Sequence, residues 1–217
     1  MDDAKPLSWS SDLPPTLIST VQAGVFKTRY RGRAFVKSPF DIVLYLQLLE
    51  RLRPRTVIEI GAYQGGSVLW FADMLAALGV PPRLISVDLK VPDLDDPRIT
   101  VLKGDAAALA DVLSPELVSS FERPLLVIDD SAHYYETTTA VLTFFHPILH
   151  AGDYIVIEDG VVDQIHEPFY RRYENGPNRA VAAFLEQHHD AYIVDRDLCD
   201  FYGKNVTYNP NGWLRRV

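Results

Sequence analysis

The chain has 217 residues, of which 47% are hydrophobic and 23% charged, with a formal net charge of -8. That balance excludes a basic surface for nucleic acid or an anionic membrane. A single cysteine, Cys199, excludes an internal disulfide framework and a cysteine zinc centre, and reads as a partly buried free thiol.

The opening stretch "MDDAKPLSWSSDLPP" has neither the basic n-region nor the apolar h-region of a secretory signal. No apolar run approaches the length of a membrane span, so a cytoplasmic soluble protein is expected. Residues 1–15 read as a loose, proline-bearing arm, and the chain divides into an N-terminal arm over 1–29 and a single domain over 30–217. "SPFDIVLYLQLLERLRP" carries apolar residues at helical spacing, with Ser38 as N-cap, Pro39 at the first helical position and Pro54 beyond the stop.

From there strands and helices alternate. "TVIEIG" is a short buried strand and "SVLWFADMLAALG" a helix ended by Gly79. "RLISVDL" and "ITVLKGD" are strands, followed by helical pieces at "AALADVL" and near Glu116 to Phe121. "PLLVIDD" is a strand, "ETTTAVLTFFHPILHAG" a helix ended by Gly152, and "YIVIED" the fifth strand. "GPNRAVAAFLEQHH" is a helix, "AYIVDRD" a strand, and "NVTYNPNGWLRRV" holds a turn and a last strand. Unbroken apolar strands between helices indicate a parallel sheet covered on both faces. Ligands of such sheets bind beyond the carboxyl ends of the strands. Glu59, Asp88, Asp105, Asp129, Asp130, Glu158 and Asp159 all fall there.

"VIEIGAYQGGSVLWFADML" is strand, glycine turn and helix. Gly61 allows the turn, Gly65 and Gly66 let backbone approach a ligand, and Ser67 is expected at the N-cap. No Gly-Lys-Ser/Thr follows, which excludes a P-loop. Tyr63 occupies the second glycine position of a dinucleotide fingerprint, which disfavours a pyrophosphate contact. A nucleoside ligand without pyrophosphate remains, S-adenosylmethionine being the common case. Glu59 then lies near its amino-acid portion, Asp88 accepts the ribose hydroxyls, and "GDA" at 104–106 borders the adenine.

"VIDDSAHYYE" and "IVIEDG" end the fourth and fifth strands, bringing several carboxylates toward one cleft. Like charges in a cleft disfavour ionisation unless a cation compensates. Neither motif carries a basic residue, and oxygen ligands select magnesium, calcium or manganese. The competing reading is that these acids cap helices or face water. His133 is placed to take a proton from a polarised hydroxyl. His146 and His150 share a helix face as a surface pair, and His188 and His189 face water at a helix end.

Together "YRGRAFVKSPFDIVLYLQLL", "RPRTVIEIGAYQGGSVLWFADML", "LISVDL", "DDSAHYYETTTAVLTFFHPILHAGDYIVIED" and "NPNGWLRR" resemble the cephalosporin hydroxylase and rhamnosyl O-methyltransferase family. These are class I methyltransferases related to macrolide-sugar O-methyltransferases. The resemblance implies a Rossmann-like α/β fold: a seven-stranded, mostly parallel sheet with an antiparallel last strand. It implies S-adenosylmethionine as donor and Mg2+, or another hard divalent cation, as cofactor. It places Asp130, Glu158 and Asp159 as metal ligands and His133 as general base. Glu59, Gly61, Ala62, Tyr63, Gln64, Ser67, Asp88, Leu89, Asp105 and Ala106 fall where the family binds the donor. "IDDSAH" also offers Asp129, and the spacing to His133 favours Asp130. The expected acceptor is a glycoside or hydroxylated secondary metabolite, as in antibiotic biosynthesis, covered by the loop 160–177 with Asp163, Gln164 and His166. A homo-oligomer is expected. The alternatives are an NAD(P)-dependent oxidoreductase on a similar sheet and a non-catalytic nucleoside-binding subunit.

Overall fold

Each buried strand must hide apolar side chains on two faces, which calls for helices on both sides. The computed structural model describes residues 7–165 and 167–217. Its first half contains α1 (Pro15–Val25), β1 (Arg29–Tyr30), β2 (Arg33–Ala34), α2 (Pro39–Leu52), β3 (Thr56–Ile60), α3 (Gly66–Ala77), β4 (Leu84–Asp88) and β5 (Ile99–Lys103). The second half contains α4 (Pro115–Ser119), β6 (Leu125–Asp129), α5 (Tyr135–Phe145), β7 (Tyr154–Ile157), α6 (Gly176–Gln187), β8 (Tyr192–Val194), α7 (Arg196–Cys199) and β9 (Trp213–Arg216).

Seven strands form one sheet in the order β5-β4-β3-β6-β7-β9-β8. β9 runs antiparallel to both β7 and β8, and the other pairings are parallel. This is the expected sheet with its antiparallel last strand. β1 and β2 form a separate small hairpin that was not read from the sequence.

The pleat sorts the strand residues between two cores. Ile58, Ile60, Val127 and Ile155 pack with α5 and α6. Val57, Leu126, Ile128 and Val156 pack with α2 and α3. Strand order reverses between β3 and β6, so a crevice opens above their carboxyl ends.

α2 starts as expected, with Ser38 Oγ accepting from the Asp41 amide at 3.1 Å. Four expectations are corrected. The segment read as a loose arm is docked from residue 7 onward: Asn205 Nδ2 donates to the Ser8 and Ser10 carbonyls at 2.9 and 3.1 Å. α1 then buries Ile18 and Val25 against Val161, Ile165 and Tyr208. α3 is capped by Gly65 at φ 80, not by Ser67. α5 stops at Phe145 with His146 as its cap, because Pro147 has no N–H with which to continue the helical hydrogen bonds. His146 and His150 are therefore not partners on one helix face, and His146 instead stacks on His188 at 4.0 Å. No helix among the described residues is long and apolar enough to cross a membrane.

Candidate active site

A cleft of about 770 Å³ lies over the β3/β6 crossing point. It is lined by Gly61, Tyr63, Gln64, Asp88, Leu89, Asp105 and Ala106 on one side and by Asp130, His133 and Asp159 on the other. Glu59, Ala62, Ser67 and Glu158, also expected at the site, do not line it and sit just beneath its floor.

On the first side the strand ends supply the polar groups. Asp88 ends β4 and accepts backbone amides on both oxygens, from Tyr63 at 2.8 Å and Lys90 at 2.8 Å. Each oxygen retains a lone pair toward the cleft, suited to a diol. Asp105 accepts from the Ala107 amide at 2.9 Å and starts a short 3₁₀ turn, Ala106–Asp111. Tyr63 has φ 46 and is 64% exposed, so its ring stands over the cleft where a dinucleotide fingerprint needs glycine.

The glycines serve the chain's own packing. A Cβ on Gly61 meets the Asp130 carbonyl at 2.0 Å, on Gly66 the Ala34 carbonyl at 2.1 Å, and on Gly65 the Leu94 side chain at 2.5 Å. The expectation that Gly65 and Gly66 open space for a ligand gives way to this: they let β2 and the segment after β4 close on the start of α3.

The second side is built from the ends of β6 and β7. The pleat sends Asp129 and Asp130 to opposite faces. Asp129 turns to the α5 side, is 2% exposed, and accepts from Ser131 Oγ at 2.6 Å. Asp130 turns to the face of Glu59 and Glu158.

All three of those carboxylates meet a residue that the strand motifs do not contain. Lys37, in the link between β2 and α2, places Nζ 2.6 Å from Asp130 Oδ2, 2.7 Å from Glu158 Oε1 and 3.3 Å from Glu59 Oε1. Its side chain is 2% exposed. Burial opposes its charge, but Asp130, Glu158 and Glu59 outweigh that and raise its pKa well above the ordinary lysine value. Neither strand motif carries a basic residue, but one from a distant segment serves the acids. Tyr45 of α2 also donates to Glu158 Oε1. Burial and repulsion from Asp130 and Asp159 nevertheless raise the Glu158 pKa well above the ordinary range, against the pull of Lys37. Burial likewise pushes Asp130 up to about 6, opposed by Lys37 and reinforced by Asp159.

Glu59 accepts from Ser67 Oγ at 2.8 Å. The floor of the cleft is thus one continuous chain: Ser67, Glu59, Lys37, then Asp130 and Glu158. Lys37 and Tyr45 were not singled out from the sequence. The one local signal was a lysine inside the apolar stretch "FVKSPF" before a helix cap.

Asp130, His133 and Asp159 each bring a ligand atom within 4.8 Å of the others. His133 Nε2 lies 3.5 Å from Asp159 Oδ2. Both His133 and Asp159 adopt left-handed backbone, at φ 59 and φ 58. Such conformations are uncommon outside glycine and gather at functional sites. The two carboxylates suit a hard divalent cation. Both donors to Glu158 converge on Oε1, and Oε2 takes no hydrogen bond from a described residue.

Over the second side stand Phe26 from the end of α1 and Phe169, Tyr170 and Tyr173 from the segment after β7. Tyr173 meets the His133 ring edge-on at 5.7 Å. Of the polar residues expected in this segment, Asp163 and Gln164 do not line the cleft, and Gln164 Nε2 reaches the Trp9 carbonyl at 3.5 Å. His166 lies outside the described residues.

The family model for Rhamnosyl O-methyltransferase/CmcI matches residues 23–217. A rhamnosyl O-methyltransferase of Mycobacterium leprae is 31% identical over 195 residues, covering 87% of this chain and 83% of its own. One from Mycobacterium tuberculosis is 29% identical over 197 residues, covering 88% and 78%. Among solved structures, CmcI with Mg-SAM is similar with a TM-score of 0.66 at 28% identity, over 88% of this chain and 77% of that one. CmcI with SAH is similar over 97% of this chain and 96% of that one, at 26% identity and a TM-score of 0.66.

Proposed function

The chain belongs to the rhamnosyl O-methyltransferase/CmcI family, and on that premise we propose that it methylates a hydroxyl of a glycoside or hydroxylated natural product, using S-adenosylmethionine and a hard divalent cation. The single observation that carries this reading is the convergence of Asp130, His133 and Asp159 within 4.8 Å in the same cleft as Asp88. A nucleoside half and a carboxylate half thus face each other across one cleft.

Asp88 accepts the donor's ribose hydroxyls while its backbone partners hold the carboxylate still. Asp105 and Ala106 border the adenine, with Gly61, Tyr63, Gln64 and Leu89 around the rest of the donor. Glu59 acts from beneath through Ser67, and Ala62 also lies beneath the floor. Asp130, Asp159 and Glu158 would hold the divalent cation, which would supply Lewis-acid polarisation of the acceptor hydroxyl. His133 takes the hydroxyl proton on Nε2 as the oxygen bonds to the donor methyl and the methyl–sulfur bond breaks, releasing S-adenosylhomocysteine. Asp159, 3.5 Å away, orients the imidazole. Phe26, Phe169, Tyr170 and Tyr173 exclude water and offer apolar faces to the acceptor. Positioning and charge stabilisation supply most of the rate, because a sulfonium is already reactive.

The test supplies S-adenosylmethionine, a rhamnosylated acceptor and Mg2+, and measures methylated product. EDTA is expected to stop turnover and Mg2+ or Mn2+ to restore it. Asp130→Asn is expected to remove turnover while leaving S-adenosylhomocysteine affinity within about threefold, since Asp130 sits outside the nucleoside half. Turnover that survives both treatments rejects the metal role. NAD binding in place of S-adenosylhomocysteine rejects the donor assignment.

A further inference from the structure

Lys37 is the buried charge that the mechanism above does not use. Its side chain, 2% exposed, carries three N–H donors, and the three carboxylates around it come from three different strand ends. Asp130 and Glu158 each give it one oxygen, Oδ2 and Oε1, and each keeps a second oxygen that takes no hydrogen bond from a described residue. Glu59, the third, is tied through Ser67 to the start of α3 beneath the donor half. Three carboxylates this close repel one another unless a cation sits among them. An ammonium group inside the cluster supplies that cation permanently.

We propose that Lys37 is the resident counter-ion of the acid cluster, a positioning residue that holds Asp130 and Glu158 in ligand-ready geometry without a divalent cation and ties them through Glu59 to the donor half of the cleft. The proposal rests on the metal reading of Asp130, Glu158 and Asp159. Two consequences follow from the charge arithmetic. The empty site is stable on its own, so the fold does not depend on metal. The fixed positive charge also opposes an incoming divalent ion, so metal binding is weaker than the bare carboxylates would give. Removing Lys37 shifts the duty of compensation to the metal.

The variants are Lys37→Met, which keeps the length of the chain and removes the charge, and Lys37→Arg, which keeps the charge. Each is compared with wild type by thermal unfolding in EDTA and in saturating Mn2+, and by Mn2+ titration followed by electron paramagnetic resonance. In EDTA, Lys37→Met is expected to melt well below wild type, and Mn2+ to raise its Tm by at least twice the wild-type rise, through ordinary ligand linkage. Lys37→Arg is expected to stay near wild type in its response to Mn2+. Should Lys37→Met fold only when Mn2+ is present, the proposal stands in its strongest form. Equal losses in EDTA and in Mn2+ make Lys37 merely structural and overturn it. So does failure of Lys37→Met to fold in both media while Lys37→Arg responds to Mn2+ no differently from an unrelated destabilised variant. The premise is read separately from the wild type: if it binds no Mn2+, the metal reading itself fails, whatever the variants do.

Discussion

His133 shows how much one residue's backbone can matter. It sits at φ 59, where most side chains are strained and Asn is tolerated several-fold better than average. Its Nε2 faces Asp159 Oδ2 at 3.5 Å and its ring edge meets Tyr173. His133→Asn therefore keeps the turn and removes only the base. It is expected to lower turnover by about 10²-fold or more while shifting Tm by only a few degrees. Steady-state kinetics with a parallel melt checks this, and near-normal turnover would assign the proton to another group. The neighbouring pair Asp129 and Asp130 makes the complementary point. One step along β6 separates an acid hydrogen-bonded to Ser131 from an acid bonded to Lys37. The pleat, not the composition of the motif, decides which of them reaches the cleft.

At the scale of elements, the segment between β7 and α6 controls the catalytic turn through a glycine. Glu174 and Asn175 are left-handed at φ 49 and φ 57, and Gly176 then starts α6 directly against the backbone of residues 133–135. A Cβ on Gly176 meets the His133 carbonyl at 2.5 Å and the Tyr135 amide at 2.6 Å. Gly176 lies outside the positive-φ set, so Ala there is refused by contact and not by its own backbone. Gly176→Ala is expected to push the His133 turn aside and lower kcat by about 10-fold to 10²-fold, in line with the cost of an ångström of misplacement. Affinity for S-adenosylhomocysteine should stay unchanged, because Asp88 and the Gly61 turn lie on the other side of the cleft. A calorimetric titration beside the kinetics separates the two, and an unaltered kcat would show that the turn does not lean on α6.

At the scale of the molecule, the chain ends meet. Asp41, near the start of α2, is 2% exposed and accepts from Ser38 Oγ at 2.5 Å, from the Tyr208 amide at 3.0 Å and from Thr207 Oγ1. Thr207 Oγ1 in turn accepts from Trp213 Nε1 at 3.2 Å, joining α2 to the strand that closes the sheet. Burial pushes Asp41 from 3.8 up to about 6, despite those three hydrogen bonds, which act to lower it. A raised carboxylate favours the folded state in its protonated form. Its contribution is full below about pH 4 and is lost as pH rises through about 6. Asp41→Asn lacks that titration, so between about pH 4 and pH 7 it should gain on wild type by up to about 3 kcal/mol. Thermal melts of both proteins across this range test the sign, and a difference that does not vary with pH would refute it.

The parts of this protein that depend on neighbours in the chain were legible before any coordinate. The Ser38-Pro39 helix start, the apolar strands and the acids at the sheet's carboxyl edge follow from local period and capping chemistry, and the antiparallel end of the sheet followed from the family resemblance. The acid pair Glu158-Asp159 could be placed at a strand end because the strand itself is an unbroken apolar run. What depends on distant segments was not legible. Lys37 is separated from its partners by 93 and 121 residues, and nothing near it in the chain signals that three strand ends will surround it. The docking of the N-terminal segment on Asn205 spans still more. The tight glycines looked like ligand space because a sequence does not tell which backbone will occupy the gap. Local patterning determined which residues could do chemistry. Long-range packing decided which of them share a charge, since electrostatic partners are chosen by distance in space and not along the chain.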